Sequence, residues 1–92
     1  MTRLLRQITV WGRVQGVSFR VATREKAEAL GITGIVQNLP DGAVYIEAEG
    51  TDEQLTALER WCHQGPPRAR VTEVVVQNAP VKNYVGFVIR RE

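Results

Sequence analysis

The sequence predicts an α+β sandwich in the order β-α-β-β-α-β, an antiparallel sheet with two helices on one face. Three observations carry this reading. Residues 43–49 alternate, with Val44, Ile46 and Ala48 on one side and Tyr45, Glu47 and Glu49 on the other, the period-two pattern of a strand. Pro40-Asp41-Gly42 separates that run from a second strand-like one, and Asp-Gly between such runs signals a hairpin. Two further segments repeat their apolar residues at helical spacing: Phe19, Thr23, Ala27 and Leu30, then Leu55, Leu58 and Cys62.

The elements follow in order. In residues 4–11, Leu4, Ile8 and Val10 share a face, Arg6 is the exception on it, and Gln7 and Thr9 take the other. A glycine-bearing loop follows, and Ser18 is placed to cap the first helix. That helix reads most clearly over residues 21–30, and Gly31 supplies its stop signal. Residues 34–38 form a short strand that turns into residues 43–49. Thr51 or Asp52 opens the second helix, Trp61 sits at the edge of its buried stripe, and Gly65-Pro66-Pro67 ends it. Residues 71–77 are β-branched and strand-like; after a loop at 78–84, Phe87 and Ile89 mark a last strand. This order is the signature of the split βαβ, ferredoxin-like sandwich, a fold that hosts many functions.

Composition excludes several classes. Ninety-two residues make one domain, residues 1–92, with one hydrophobic core. The hydrophobic fraction of 43% and charged fraction of 24% fit a globular chain and argue against disorder. A net charge of +2 favours small anions but is too slight to argue for nucleic acid. Cys62 is the only cysteine, so no internal disulfide forms and no oxidising compartment is required. No signal-peptide core or membrane-length apolar run is present, which makes a cytoplasmic protein the expectation.

The stretch GRVQGVSFR, residues 12–20, joins the first strand to the first helix. A helix start exposes backbone N–H groups without internal partners, and the macrodipole adds positive charge there. Gly16 tolerates positive φ and allows close approach of a ligand. Arg20 falls in the first turn, and its fork can pair two oxygens of a phosphate or carboxylate. A small oxyanion fits this chemistry. A glycine at such a turn also serves purely steric ends, and such an arginine also serves as a solvated charge. The residues alone leave both readings open. The loop has no Gly-Lys-Ser/Thr ending and no Asp, His or Cys, so it is not a Walker loop and offers no covalent phosphate acceptor.

GRVQGVSFR resembles the signature of the acylphosphatase family. NLPDG at residues 38–42, following Leu30-Gly31-Ile32-Thr33-Gly34, resembles the family's second signature. Gly65-Pro66 with Ala69 and Val71, and Phe87-Val88-Ile89-Arg90, resemble its later joint and closing strand. The likeness covers nearly the whole chain, and Ile35 departs from it where many relatives carry an aromatic residue. The resemblance implies an enzyme that hydrolyses acyl phosphates to carboxylate and inorganic phosphate, with no metal or organic cofactor. It implies that Arg20 binds the substrate phosphate and that Asn38 positions the attacking water. Gln15, Gly16, Val17, Ser18 and Phe19 would supply the phosphate-binding loop. Neither nucleic acid nor membrane is expected as a partner, and a monomer is expected.

The fold supports these roles. Its first and second strands run parallel with one strand between them, so their C-terminal ends lie about 10 Å apart at one end of the sheet. An acyl phosphate is an activated anhydride, so charge neutralisation and an aimed water suffice without an acid, base or nucleophile from the protein. Taken alone, Asn38 also reads as a turn asparagine, His63 as a surface histidine and Cys62 as a buried small hydrophobe. Trp11 borders the loop and packs on its strand. The alternatives are a non-catalytic module that binds an anion, a partner or RNA, with Tyr45 on an open sheet face, and a domain of a larger maturation enzyme.

Overall fold

Residues 2–91 are described by a computed structural model. Alternation in the first segment produces β1 (Leu4–Arg13), longer than predicted because a bulge between Trp11 and Gly12 lets pairing resume beyond it. Gly12 is required there: a Cβ on it would lie 2.1 Å from the Arg70 carbonyl oxygen. Next come α1 (Phe19–Leu30), β2 (Thr33–Asn38) and β3 (Val44–Gly50), then α2 (Asp52–Cys62), β4 (Arg70–Ala79) and β5 (Phe87–Ile89). Thr51 caps α2 in a capping box with Gln54, which satisfies two otherwise orphaned backbone donors. Gly31 closes α1 in the left-handed conformation at φ 79°.

The five strands lie in the order β4-β1-β3-β2-β5. Both β1 and β2 run antiparallel to β3, which lies between them, so β1 and β2 are parallel to each other, as expected. Val10 and Asn38 both pair with Val44, so the loop after β1 and the end of β2 share one end of the sheet. The helices cover one face and bury Ile8, Val10, Val36, Val44 and Ile46 against Phe19, Ala27, Leu55, Leu58 and Cys62. Arg6, the predicted exception on that face, hydrogen-bonds Thr56, Glu59 and Asp52 of α2 and clips the helix to the sheet.

Two corrections concern the sheet. It is mixed, because β5 pairs parallel to β2. β4 runs antiparallel to β1 and ends where β2 begins, so a chain crossing directly from there to β2's free edge must run parallel to β2. The second correction is burial on the face opposite the helices. Glu47 and Glu49 lie there, as the alternation requires, yet they are 6% and 0% exposed. The crossing segment 80–86 explains this. Glu49 accepts backbone N–H bonds from Lys82, Asn83 and Tyr84, while Glu47 accepts from Lys82 Nζ and from the hydroxyls of Tyr45 and Tyr84. The two carboxylates thus clasp the segment that delivers β5.

Burial by itself would raise the Glu47 pKa, but the Tyr45 and Tyr84 hydroxyls and the Lys82 ammonium outweigh it and hold the carboxyl at about 2, against 4.5 for a free one. A folded-state pKa below the unfolded value adds stability above the unfolded pKa, and that stability is lost as pH falls through the folded one. Roughly 3 kcal/mol is expected to disappear between pH 4.5 and pH 2. Urea unfolding of the wild type and Glu47→Gln across this window checks it. Equal acid losses in both proteins would refute the assignment to Glu47.

Candidate active site

The loop after β1 is anchored by buried Val14 and Val17 and continues into buried Phe19, while Gly16 and Ser18 are exposed between them. Burying alternate side chains leaves the intervening backbone at the surface. Gly16 at φ 75° and Ser18 at φ 65° both adopt the left-handed conformation. Left-handed residues flanking one of ordinary φ turn successive N–H groups toward one side, forming an anion-binding concavity. From Gly16 to Val21, these N–H groups find no acceptor among the described residues. Helix α1 adds its positive end to the same region.

Ser18 is the N-cap residue, but its side chain makes no capping hydrogen bond, contrary to the sequence expectation. A side-chain cap goes with extended backbone, as at Thr51, whereas Ser18 is left-handed. The helix-start amides therefore stay open. A left-handed residue other than glycine is strained, by about 1–3 kcal/mol, and such strain clusters at functional sites.

Arg20 is half-buried in the first turn of α1 and enters no ion pair or side-chain hydrogen bond among the described residues. Asn38 ends β2, paired with Val44. Its Oδ1 is buried and has no hydrogen-bond partner among the described residues. Such an orphan is uncommon and costs about 1–3 kcal/mol in lost solvation. Gln15 ties the two sides together: its Nε2 donates to the carbonyls of Leu39 and Ala43 at 2.8 and 2.9 Å. The β2–β3 hairpin, and Asn38 with it, is thereby held against the loop.

A cavity of about 310 Å³ lies between them, lined by Gly16, Ser18, Phe19, Arg20 and Asn38 together with Val14, Val21, Ile89 and Arg91. Five of the seven residues expected at the site line it. The other two support it from behind: Val17 is packed in the core, and the Gln15 side chain points to the hairpin. Ile89 and Arg91 were not anticipated. They arrive through the parallel β2–β5 pairing, which leaves no local pattern in sequence. The remaining candidates lie elsewhere. Trp11 and Tyr45 line a separate hollow of about 210 Å³ on the face away from the helices, and the Tyr45 hydroxyl is engaged by Glu47. His63 is exposed at the end of α2. Cys62 is fully buried, and burial together with nearby Glu59 pushes its thiol up to about 12, which makes it inert. Trp61 packs its ring 5.4 Å from that of Phe19.

Comparison with known proteins agrees with this geometry. The acylphosphatase family model matches residues 6–89. The acylphosphatase of Pseudomonas paraeruginosa is 50% identical over 91 residues, 99% of this chain and 100% of that protein. The structure of an acylphosphatase from Coxiella burnetii superposes with a TM-score of 0.93 at 40% identity, covering 96% of this chain and 93% of the other. That of Bacillus subtilis gives 0.93 at 34% identity, covering 96% and 99%. With the family model spanning most of its length and a relative half identical from end to end, the chain belongs to the acylphosphatase family.

Proposed function

We propose that this chain, by its family an acyl phosphate hydrolase, cleaves the carboxyl–phosphate bond by metal-free, in-line attack of a positioned water on phosphorus. The observation that carries the mechanism is the one cavity that Asn38 lines together with Arg20 and the open amides of Gly16 and Ser18. The phosphoryl group sits in the amide concavity, with two of its oxygens on the Arg20 fork. The Asn38 carboxamide hydrogen-bonds the water and aims it at phosphorus. As the new P–O bond forms, the bond to the acyl oxygen breaks, and its electron pair leaves with the carboxylate. Asn38 cannot take the water's proton at neutral pH, so a phosphoryl oxygen of the substrate takes it. The products are a carboxylate and inorganic phosphate.

Backbone amides and one arginine read the phosphoryl group closely and the acyl group loosely, so broad acyl specificity follows. The chain works as a single-domain cytoplasmic monomer in this reading. Its lone, buried cysteine, which requires no oxidising compartment, supports that placement.

Benzoyl phosphate hydrolysis, followed by ultraviolet absorbance with a chelator present, tests the proposal. Steady turnover is expected, with solvent oxygen-18 appearing in phosphate and not in benzoate. Label in benzoate would relocate the attack to the carbonyl carbon. A folded protein that binds inorganic phosphate without turnover would make the loop an anion site of a binding module.

A further inference from the structure

We infer that Arg91 is a second phosphate-binding cation of this site, acting beside Asn38 on the side from which water attacks; the inference rests on the reading above. In the parallel β2–β5 pair, Gly34, Ile35 and Val36 face Phe87, Val88 and Ile89 in turn. The same offset, carried two residues further, sets Arg91 opposite Asn38. Pairing continues in that direction, because the Arg90 N–H donates to the Val36 carbonyl at 2.8 Å. Adjacent strands lie about 4.8 Å apart, well within the reach of an arginine side chain. Residues two apart on a strand project to the same side. Phe87 is buried in the helix-side core, and Ile89 and Arg91 both line the cavity.

The position is held from both ends. Upstream, the Gly34 N–H donates to the Gly86 carbonyl at 2.9 Å, and Glu49 clasps the crossing segment through its amides. β5 therefore cannot slide along β2 without breaking that clasp. Arg91 is itself exposed, so its guanidinium can approach a ligand without a desolvation penalty. Among the described residues no carboxylate lines the cavity to oppose it.

A phosphoryl group is a dianion, and Arg20 alone offers it one full positive charge. A second cation on the Asn38 side would meet the equatorial oxygens that Arg20 leaves free. In-line geometry puts the leaving carboxylate on the opposite side, away from Arg91. Arg91 should therefore act on the phosphate and not on the acyl group. Its effect should be on capture, because the oxygens it meets are charged in both substrate and transition state.

The test compares the wild type with Arg91→Gln and Arg91→Lys, using benzoyl phosphate, acetyl phosphate and inorganic phosphate. With Arg91→Gln, KM for both substrates and Ki for phosphate are expected to rise together by about fivefold, with kcat changed less than about twofold. Arg91→Lys should recover part of the loss. The wild-type advantage should shrink as salt rises from 0.02 to 0.5 M, through screening (~20 Å Debye length falling to ~4 Å). An unchanged phosphate Ki would overturn the inference. So would a loss confined to one acyl group, which makes Arg91 an acyl-recognition residue, or a lysine variant no better than glutamine, which makes the role one of packing. Should the wild type hydrolyse neither substrate, the proposed activity fails separately. Calorimetric phosphate binding by the same three proteins then still decides for or against Arg91.

Discussion

Arg20→Gln is expected to lower kcat/KM for benzoyl phosphate by about 10³- to 10⁴-fold while leaving the protein folded. The size follows from what is lost. The amides around Gly16 and Ser18 carry only partial charges, whereas Arg20 brings a full charge and two directed donors to the same cavity. Loss of a single neutral donor to a developing oxyanion costs about 10²- to 10³-fold, and a charged bidentate donor stands above that range. Stability should hold, because Arg20 makes no ion pair or side-chain hydrogen bond among the described residues. Thermal unfolding by circular dichroism should therefore coincide with wild type, and calorimetry should show inorganic phosphate binding reduced in parallel with activity. Arg20→Lys keeps the charge but not the fork, and should recover only part of the rate. A folded Arg20→Gln protein retaining more than about a tenth of wild-type activity would remove Arg20 from the phosphate clamp.

Asn38→Ala is expected to act on a different step. Its kcat should fall about 10³-fold, since aiming the nucleophile is worth much of the advantage of a bound over a free reactant. Inorganic phosphate should still bind within about threefold of wild type, because the amides and Arg20 remain. This split between binding and turnover separates the two roles; an Asn38→Ala protein that loses phosphate affinity as severely as Arg20→Gln would erase the distinction. Stability should move the other way from activity. The alanine removes a buried oxygen that has no partner among the described residues, so unfolding in urea is expected to require as much denaturant as wild type or more, a gain of up to about 1 kcal/mol. A residue held at a cost to the fold fits a role in chemistry.

What the sequence by itself determined is whatever local chain physics encodes. The alternation of Val44, Ile46 and Ala48 with Tyr45, Glu47 and Glu49 assigned a strand and its faces. The spacing of Phe19, Thr23 and Ala27, and of Leu55, Leu58 and Cys62, assigned the helices and their buried sides. Thr51, Gly31 and Gly65-Pro66 marked helix ends because caps and stops act within a few residues. From that order alone came the juxtaposition of the loop at Gly16 with Asn38, since two parallel strands flanking a third end together. The tertiary structure decided what depends on partners distant along the chain. It made the sheet mixed by returning β5 beside β2, and it turned Glu47 and Glu49 from surface charges into a buried clasp on segment 80–86. It set Ser18 left-handed and without a side-chain cap, Gln15 across to the β2–β3 hairpin, and Arg91 at the cavity. None of these leaves a local trace, because periodicity specifies which face of a strand is buried but not which strand lies beside it.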